Sequence, residues 1–248
     1  MKTRLPQSVC ALVAFTSAAL SMGGIVRAAD DIPVGYINAS PGIAAVGAFP
    51  KLDWQITYPT KLEDLVKIEK PGTIRPKTDL KMEVRLLGAG VTISYADGSH
   101  MSFASEEAYY SYNDGGWQKV FSGTNKDVNQ SAVIKSQTVS SGKSIRFGGR
   151  FWDVVSNPRG EWSHFYSSND GTQNVQVLKD GDSIPTTYNI ANSPTLEQFI
   201  KPYLDAGGKV DIGPMDMIVM CELTHTESQR YQTGYDLQDL VFLVTFSE

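Results

Sequence analysis

The sequence predicts an all-β fold, a β-sandwich of jelly-roll type with one short helix near residues 194–206. Short runs of alternating apolar and polar residues recur along the chain, with Gly, Asn and Asp turn signals at a spacing of roughly 8–12 residues. The last run, Leu240-Val241-Phe242-Leu243-Val244-Thr245-Phe246, is apolar on both faces, as a central or doubly covered strand must be.

Residues 1–28 read as a signal peptide. Lys2 and Arg4 precede a mostly apolar stretch from Val9 to Met22, and Val26-Arg27-Ala28 offers a cleavage site. That stretch is too short and too weakly apolar to remain as a membrane anchor. Residues 29–248 are therefore expected to form a single secreted, periplasmic or cell-surface domain without a transmembrane segment. Residues 29–50, rich in Gly, Ala and Pro, read as an extended N-terminal arm or first edge strand. Such an arm could also pair with a neighbour's sheet edge.

The strand runs follow in order. Trp54, Ile56 and Tyr58 alternate with polar residues, as do Leu80, Met82, Val84 and Leu86. Alternation of this kind marks a half-buried strand, and it places Trp54 and Trp152 in the core. Asp97-Gly98, Asn113-Asp114-Gly115-Gly116, Ser140-Ser141-Gly142, Asn169-Asp170-Gly171 and Asp180-Gly181-Asp182 read as turns. Thr60-Lys61-Leu62-Glu63 has the capping-box pattern of a helix of at most two turns. Ser193-Pro194 opens the longer helix, Pro202 should kink or break it, and Gly207-Gly208 ends it.

Charge and cysteine content narrow the function classes. The chain carries a formal charge of −5; without Lys2, Arg4 and Arg27 it has 19 basic against 27 acidic residues, or −8. An acidic surface disfavours nucleic acid and anionic lipid as partners and favours solubility and cation binding. Cys10 lies in the signal segment, so Cys221 alone remains and no internal disulfide can form. Its setting in Met217-Ile218-Val219-Met220-Cys221 reads as a buried structural thiol.

Candidate sites are few. Glu222 ends one apolar strand, and Asp236 and Asp239 stand at the mouth of the next. If the strands are neighbours, three carboxylates converge beside a core, and a divalent cation would relieve them, calcium above all. The other reading of the same acids is turn caps and solvated strand ends. Asn125, Asp127 and Asn129 have the oxygen spacing of a calcium loop but lack its Gly and bidentate Glu. His100, His164 and His225 have no zinc-site spacing, there is no G-x-S-x-G elbow, and Gly88-Ala89-Gly90 lacks a nucleotide-binding context. Glu106, Glu107 and Glu161 could supply the acids of a polysaccharide hydrolase. Trp117, on a loop, with Tyr110 and Tyr112 could stack on sugars, although core packing is the commoner use of such rings.

The stretch YDLQDLVFLVTF resembles the D-x-D-[FY]-N-D-L-[VI]-F ending of a family of bacterial extracellular β-domains. Asp236 and Asp239 fall on two of that family's acids and Glu222 on an upstream acidic turn, while Gly234 and Gln238 replace its first Asp and its Asn. The resemblance covers about 30 residues. It implies an exported, calcium-binding β-domain at the end of a surface or secreted protein.

The leading expectation is an exported, non-enzymatic β-sandwich with a structural or interaction role, stabilised by calcium. Its partner would be another protein, a second copy of the chain, or a glycan. A carbohydrate-binding module and a polysaccharide-acting hydrolase are the alternatives.

Overall fold

The computed structural model describes residues 33–39, 52–58, 60–94, 101–185, 199–232 and 234–248. The expected signal segment, the turn at Asp97-Gly98 and residues 194–198 of the expected helix lie outside them.

The chain begins with a two-stranded antiparallel ribbon, β1 (Val34–Ala39) and β2 (Leu52–Thr57). The single-turn helix α1 (Leu62–Leu65) follows, then β3 (Val66–Glu69), β4 (Thr73–Pro76) and β5 (Leu80–Ala89). A small ribbon, β6 (Thr92–Ser94) and β7 (Met101–Phe103), leads into β8 (Glu106–Tyr112) and β9 (Gln118–Gly123). β10 (Val133–Val139), β11 (Ile145–Asp153), β12 (Glu161–Trp162) and β13 (Tyr166–Ser167) come next. β14 (Val175–Lys179), β15 (Asp216–Cys221) and β16 (Leu240–Ser247) complete the set.

Two antiparallel sheets carry the architecture. One has the order β10-β5-β16-β15-β14; the other runs β3-β4-β11-β8-β9, with β12 and β13 also pairing with β11. Alternation in β5 turns Leu80, Met82, Val84 and Leu86 inward, where they meet Tyr110, Ile145 and Phe147 of the opposing sheet. Phe147 lies 5.2 Å from the ring of Phe242 across the two layers.

The terminal strand is central, between β5 and β15. Phe242, Val244 and Phe246 face the other sheet. Val241 and Leu243 face outward onto a second core with Leu87, Ile218 and Met220. Phe199, Ile200, Val210 and Ile212 cover that outer core, together with Tyr235 and Leu237. Gly88 permits this cover: a Cβ there would stand 2.3 Å from the Phe199 ring.

Two local expectations shift. The first helix starts one residue later than Thr60 implies, with Lys61 at its N-cap and Asp64 accepting from the Lys61 amide. Of the longer helix, the described part is Phe199, helical, followed after Ile200 by a separate 3₁₀ turn at Lys201–Tyr203, where Pro202 removes a backbone donor. The turn at Asn113 and Asp114 has φ of 54° and 56°, the left-handed pair a tight β-hairpin demands.

Trp54 is a clear correction. It is 74% exposed, along with Val34, Tyr36, Ile37, Leu52, Ile56 and Tyr58, because the β1–β2 ribbon does not lie on the sandwich. Trp152 is half-buried, edge-on to Trp162 at 5.2 Å. No helix among the described residues is long and apolar enough to cross a membrane.

Candidate functional site: an acidic loop and an aromatic sheet face

β15 and β16 are neighbours, and the three carboxylates at their joined end do converge. Glu222 is fully buried and ringed by donors. Its Oε1 accepts from the amides of Thr224 (3.1 Å) and His225 (3.0 Å) and from the Thr224 hydroxyl (2.5 Å). Its Oε2 accepts from the amides of Asp236 (2.9 Å) and Leu237 (3.3 Å). Leu237 has φ of 58°, uncommon for a bulky residue, and its amide and the preceding one share one oxygen.

Asp239 Oδ2 accepts from the amides of Leu223 (2.6 Å) and Thr224 (3.1 Å). Asp236 Oδ1 accepts from the Gln238 amide at 3.1 Å, and its Oδ2 bonds the Gln238 side chain. Asn174, which sequence reasoning passed over, clamps the turn from below. Its side-chain amide donates to the carbonyls of Glu222 (3.1 Å) and His225 (2.6 Å). A single buried Asn after a turn leaves no pattern by which to single it out.

Burial opposes ionisation of Glu222, yet bonds from His225, Thr224 and Asp236 outweigh it and hold the carboxyl below its ordinary range. The bond to Glu222 in turn raises His225, whose Nδ1 stands 3.4 Å from Oε1. Asp239 differs. Burial, and then the neighbouring Glu222, Asp236 and Glu106, push its carboxyl well upward.

Hydrogen-bond donors already engage both oxygens of Glu222, both of Asp236 and Oδ2 of Asp239. Among the described residues no group of three or more His, Cys, Asp or Glu side chains is placed to hold one ion. The donor set around Glu222, Asp236 and Asp239 fits amide capping rather than a divalent metal. Asp127 is likewise engaged as a cap, accepting from the Thr124 amide at 2.8 Å.

The second candidate is the outer face of β8, β9 and β11. Here Tyr109, Phe165 and Trp117 form an edge-to-face chain, with ring centres 5.3 Å and 5.0 Å apart. The Arg150 guanidinium lies over Trp162 at 4.7 Å and over Tyr109 at 5.7 Å. Phe165 approaches the sheet closely at Gly148, where a Cβ would stand 2.9 Å from the ring.

Tyr110 does not belong to this face. It is wholly buried in the inter-sheet core, 5.9 Å from Phe147, so it cannot stack on a ligand. Tyr112 is half-buried and its hydroxyl accepts from the Ser140 amide at 2.8 Å, which pins a turn. Trp117 stays on the surface, half-buried, with Phe165 and Tyr109 as its neighbours in place of the two expected tyrosines.

No family model, curated protein or solved structure matches this chain.

Glu106 and Glu107 are adjacent on β8 and so point to opposite sides of the sheet. Glu106 is buried between the layers. Its Oε1 accepts from the Val91 amide at 2.9 Å, its Oε2 is unpartnered, and burial raises its carboxyl well above the usual range. Glu107 faces outward into a cationic clamp. It accepts from Lys119 (2.8 Å), the Tyr109 hydroxyl (2.6 Å) and Arg150 (2.8 Å). Burial would raise it, but those bonds outweigh burial and hold it at about 2. Two acids on opposite faces of one sheet cannot flank one glycosidic bond. Glu161, exposed and paired in register with Asp153, joins neither.

Proposed function

We propose that the chain is an exported, non-catalytic β-sandwich that supports and binds at the cell surface or in the extracellular space. The observation that carries this reading is the β1–β2 ribbon. The register pairs Ile37 with Trp54 and Gly35 with Ile56, and alternation along β2 adds Leu52, so these five residues share one face. Asn38, Asp53, Tyr36, Gln55, Val34 and Thr57 take the other. Ile37, Leu52, Trp54 and Ile56 are each more than half exposed, and an apolar face of that extent is the usual mark of an interaction surface. The acidic loop supports the same reading, since its carboxylates are spent on holding backbone. The basic, apolar first 28 residues supply the route out of the cytosol.

The test is cell fractionation with mass spectrometry of the product, beside a Trp54→Ser, Ile37→Thr double variant. The expected product begins at Ala29, outside the cytosol, and the double variant is lost from the cell surface into the medium. An uncleaved cytosolic product overturns the reading.

The aromatic face favours a second reading, a carbohydrate-binding module. Trp117, Phe165 and Tyr109 make a ribbon of rings beside the charged groups Arg150, Lys119 and Glu107, the pairing of stacking surface and polar rim that sugars use. A glycan array with the wild type and Trp117→Ala decides it. Binding that vanishes in the variant supports it, and an array without a hit removes it.

A further inference from the structure

We propose that the apolar face of the β1–β2 ribbon is a self-association surface whose occupant is the same face of a second copy of this chain. This rests on the interaction role above and deepens it by naming the partner. An isolated two-stranded ribbon is at best marginally stable in water and needs a further apolar layer. Among the described residues nothing supplies that layer: Ile37 is 72% exposed, Trp54 74%, and Leu52 and Ile56 each 56%.

The shape of the face suits its own copy. β2 contributes a ridge of large side chains, Leu52, Trp54 and Ile56, while β1 contributes Ile37 and, beside it, Gly35 with no side chain. A two-fold axis parallel to the strands, between two facing ribbons, sets each ridge over the other copy's shallow strand. Such a contact is isologous and closed, so it ends at a dimer.

Charge points the same way. The chain carries −5 overall, so two copies repel unless they meet where local charge is absent. Asp53 is the sole charged residue of the two strands, and it pairs with Asn38 on the far face. The acidic body also argues against an anionic membrane as the occupant. Six-residue strands are shorter than the roughly 9–11 residues a spanning strand needs. Four large apolar side chains, extended by Tyr58 in the same alternation, offer on the order of 500 Å² per copy. Two copies then bury about 1,000 Å², the lower bound of a specific interface.

The test is sedimentation of the full-length chain from 1 to 100 µM (a range of about two decades around a micromolar Kd). Three proteins are compared: the wild type, the apolar-face variant Trp54→Ser, Ile37→Thr, and the polar-face variant Tyr36→Ser, Gln55→Ser. All four positions are exposed, and circular dichroism confirms that each variant keeps its sheet. The expected result is a micromolar dimer for the wild type and the polar-face variant, with association at least about 30-fold weaker in the apolar-face variant. A dimer indifferent to Trp54→Ser and Ile37→Thr, or equally sensitive to both variants, overturns the proposal. A monomeric wild type also overturns it. If surface retention of that monomer still depends on Trp54, the interaction role stands with a different partner; if it does not, both readings fall together.

Discussion

Glu222 is an anion in a cage of amides, placed where strand β15 breaks into a loop. Five donors converge on its two oxygens, from Thr224, His225, Asp236 and Leu237. Glu222→Gln leaves a side-chain NH₂ facing amide hydrogens, and a buried mispairing of that kind costs about 2–4 kcal/mol. A urea melt checks it, with Asp236→Asn as the milder comparison. The pH dependence has two limbs. The carboxyl of Glu222 is lowered in the fold, so its contribution is present above its ordinary 4.5 and is lost as pH falls through the lower folded value. His225 is raised, so its contribution is complete below 6.5 and is lost as pH rises through the higher folded value. His225→Ala should therefore abolish the alkaline limb and shrink the acid limb, because the His225 bond is foremost among those that lower Glu222. Glu106 runs the other way. Its carboxyl is raised by burial, so the unfolded chain gains from ionising it once pH exceeds 4.5. Glu106→Gln should raise the melting temperature at pH 8 and leave it unchanged at pH 4. Capping was one of the two readings the sequence left open for the C-terminal acids: it places them near one another, but cannot say whether a metal or the backbone answers them.

Among elements, the terminal strand was the most readable and the first ribbon the least. β16 is apolar at consecutive positions, and only a strand covered on both faces tolerates that, so its central place follows from composition alone. The β2 run alternates just as cleanly as β5, yet Trp54 is exposed where Leu80, Met82, Val84 and Leu86 are buried. Alternation states that one face is apolar; it does not state what covers it. The same limit explains Tyr110. Period two puts Tyr109 and Tyr110 on opposite sides of β8, and only the packing against Phe147 selects which of them is inside. The contrast gives a paired prediction. Phe242→Ala empties a site between the layers and should cost about 3–5 kcal/mol. Trp54→Ser removes a larger ring from an exposed face and should change monomer stability by no more than about 0.5 kcal/mol. Guanidinium melts of the two variants, at dilutions that keep the chain monomeric, make the comparison.

For the molecule as a whole, stability must come from the two apolar cores, because no covalent staple is present: Cys221 is a free, buried thiol among the described residues. Burial also pushes that thiol well upward, so it is unionised and shielded at once. It stands between the sheets on β15, opposite Val175 of β14, and a reagent reaches it only when the sandwich opens. The thiol count then reports on two questions together. A chain cleaved after Ala28 has lost Cys10 and should show no fast reaction with a thiol reagent, followed by one slow equivalent at the rate of global unfolding. An uncleaved chain should add a fast equivalent from Cys10. The same argument fixes the response to additives. A reductant has no bond to break, and the acids of the C-terminal loop are already satisfied by amides, so neither reductant nor chelator should move the melting temperature. A drop of several degrees with a chelator would mean that calcium takes the place of those amide bonds at Glu222, Asp236 and Asp239, which linkage then converts into an affinity from the size of the shift.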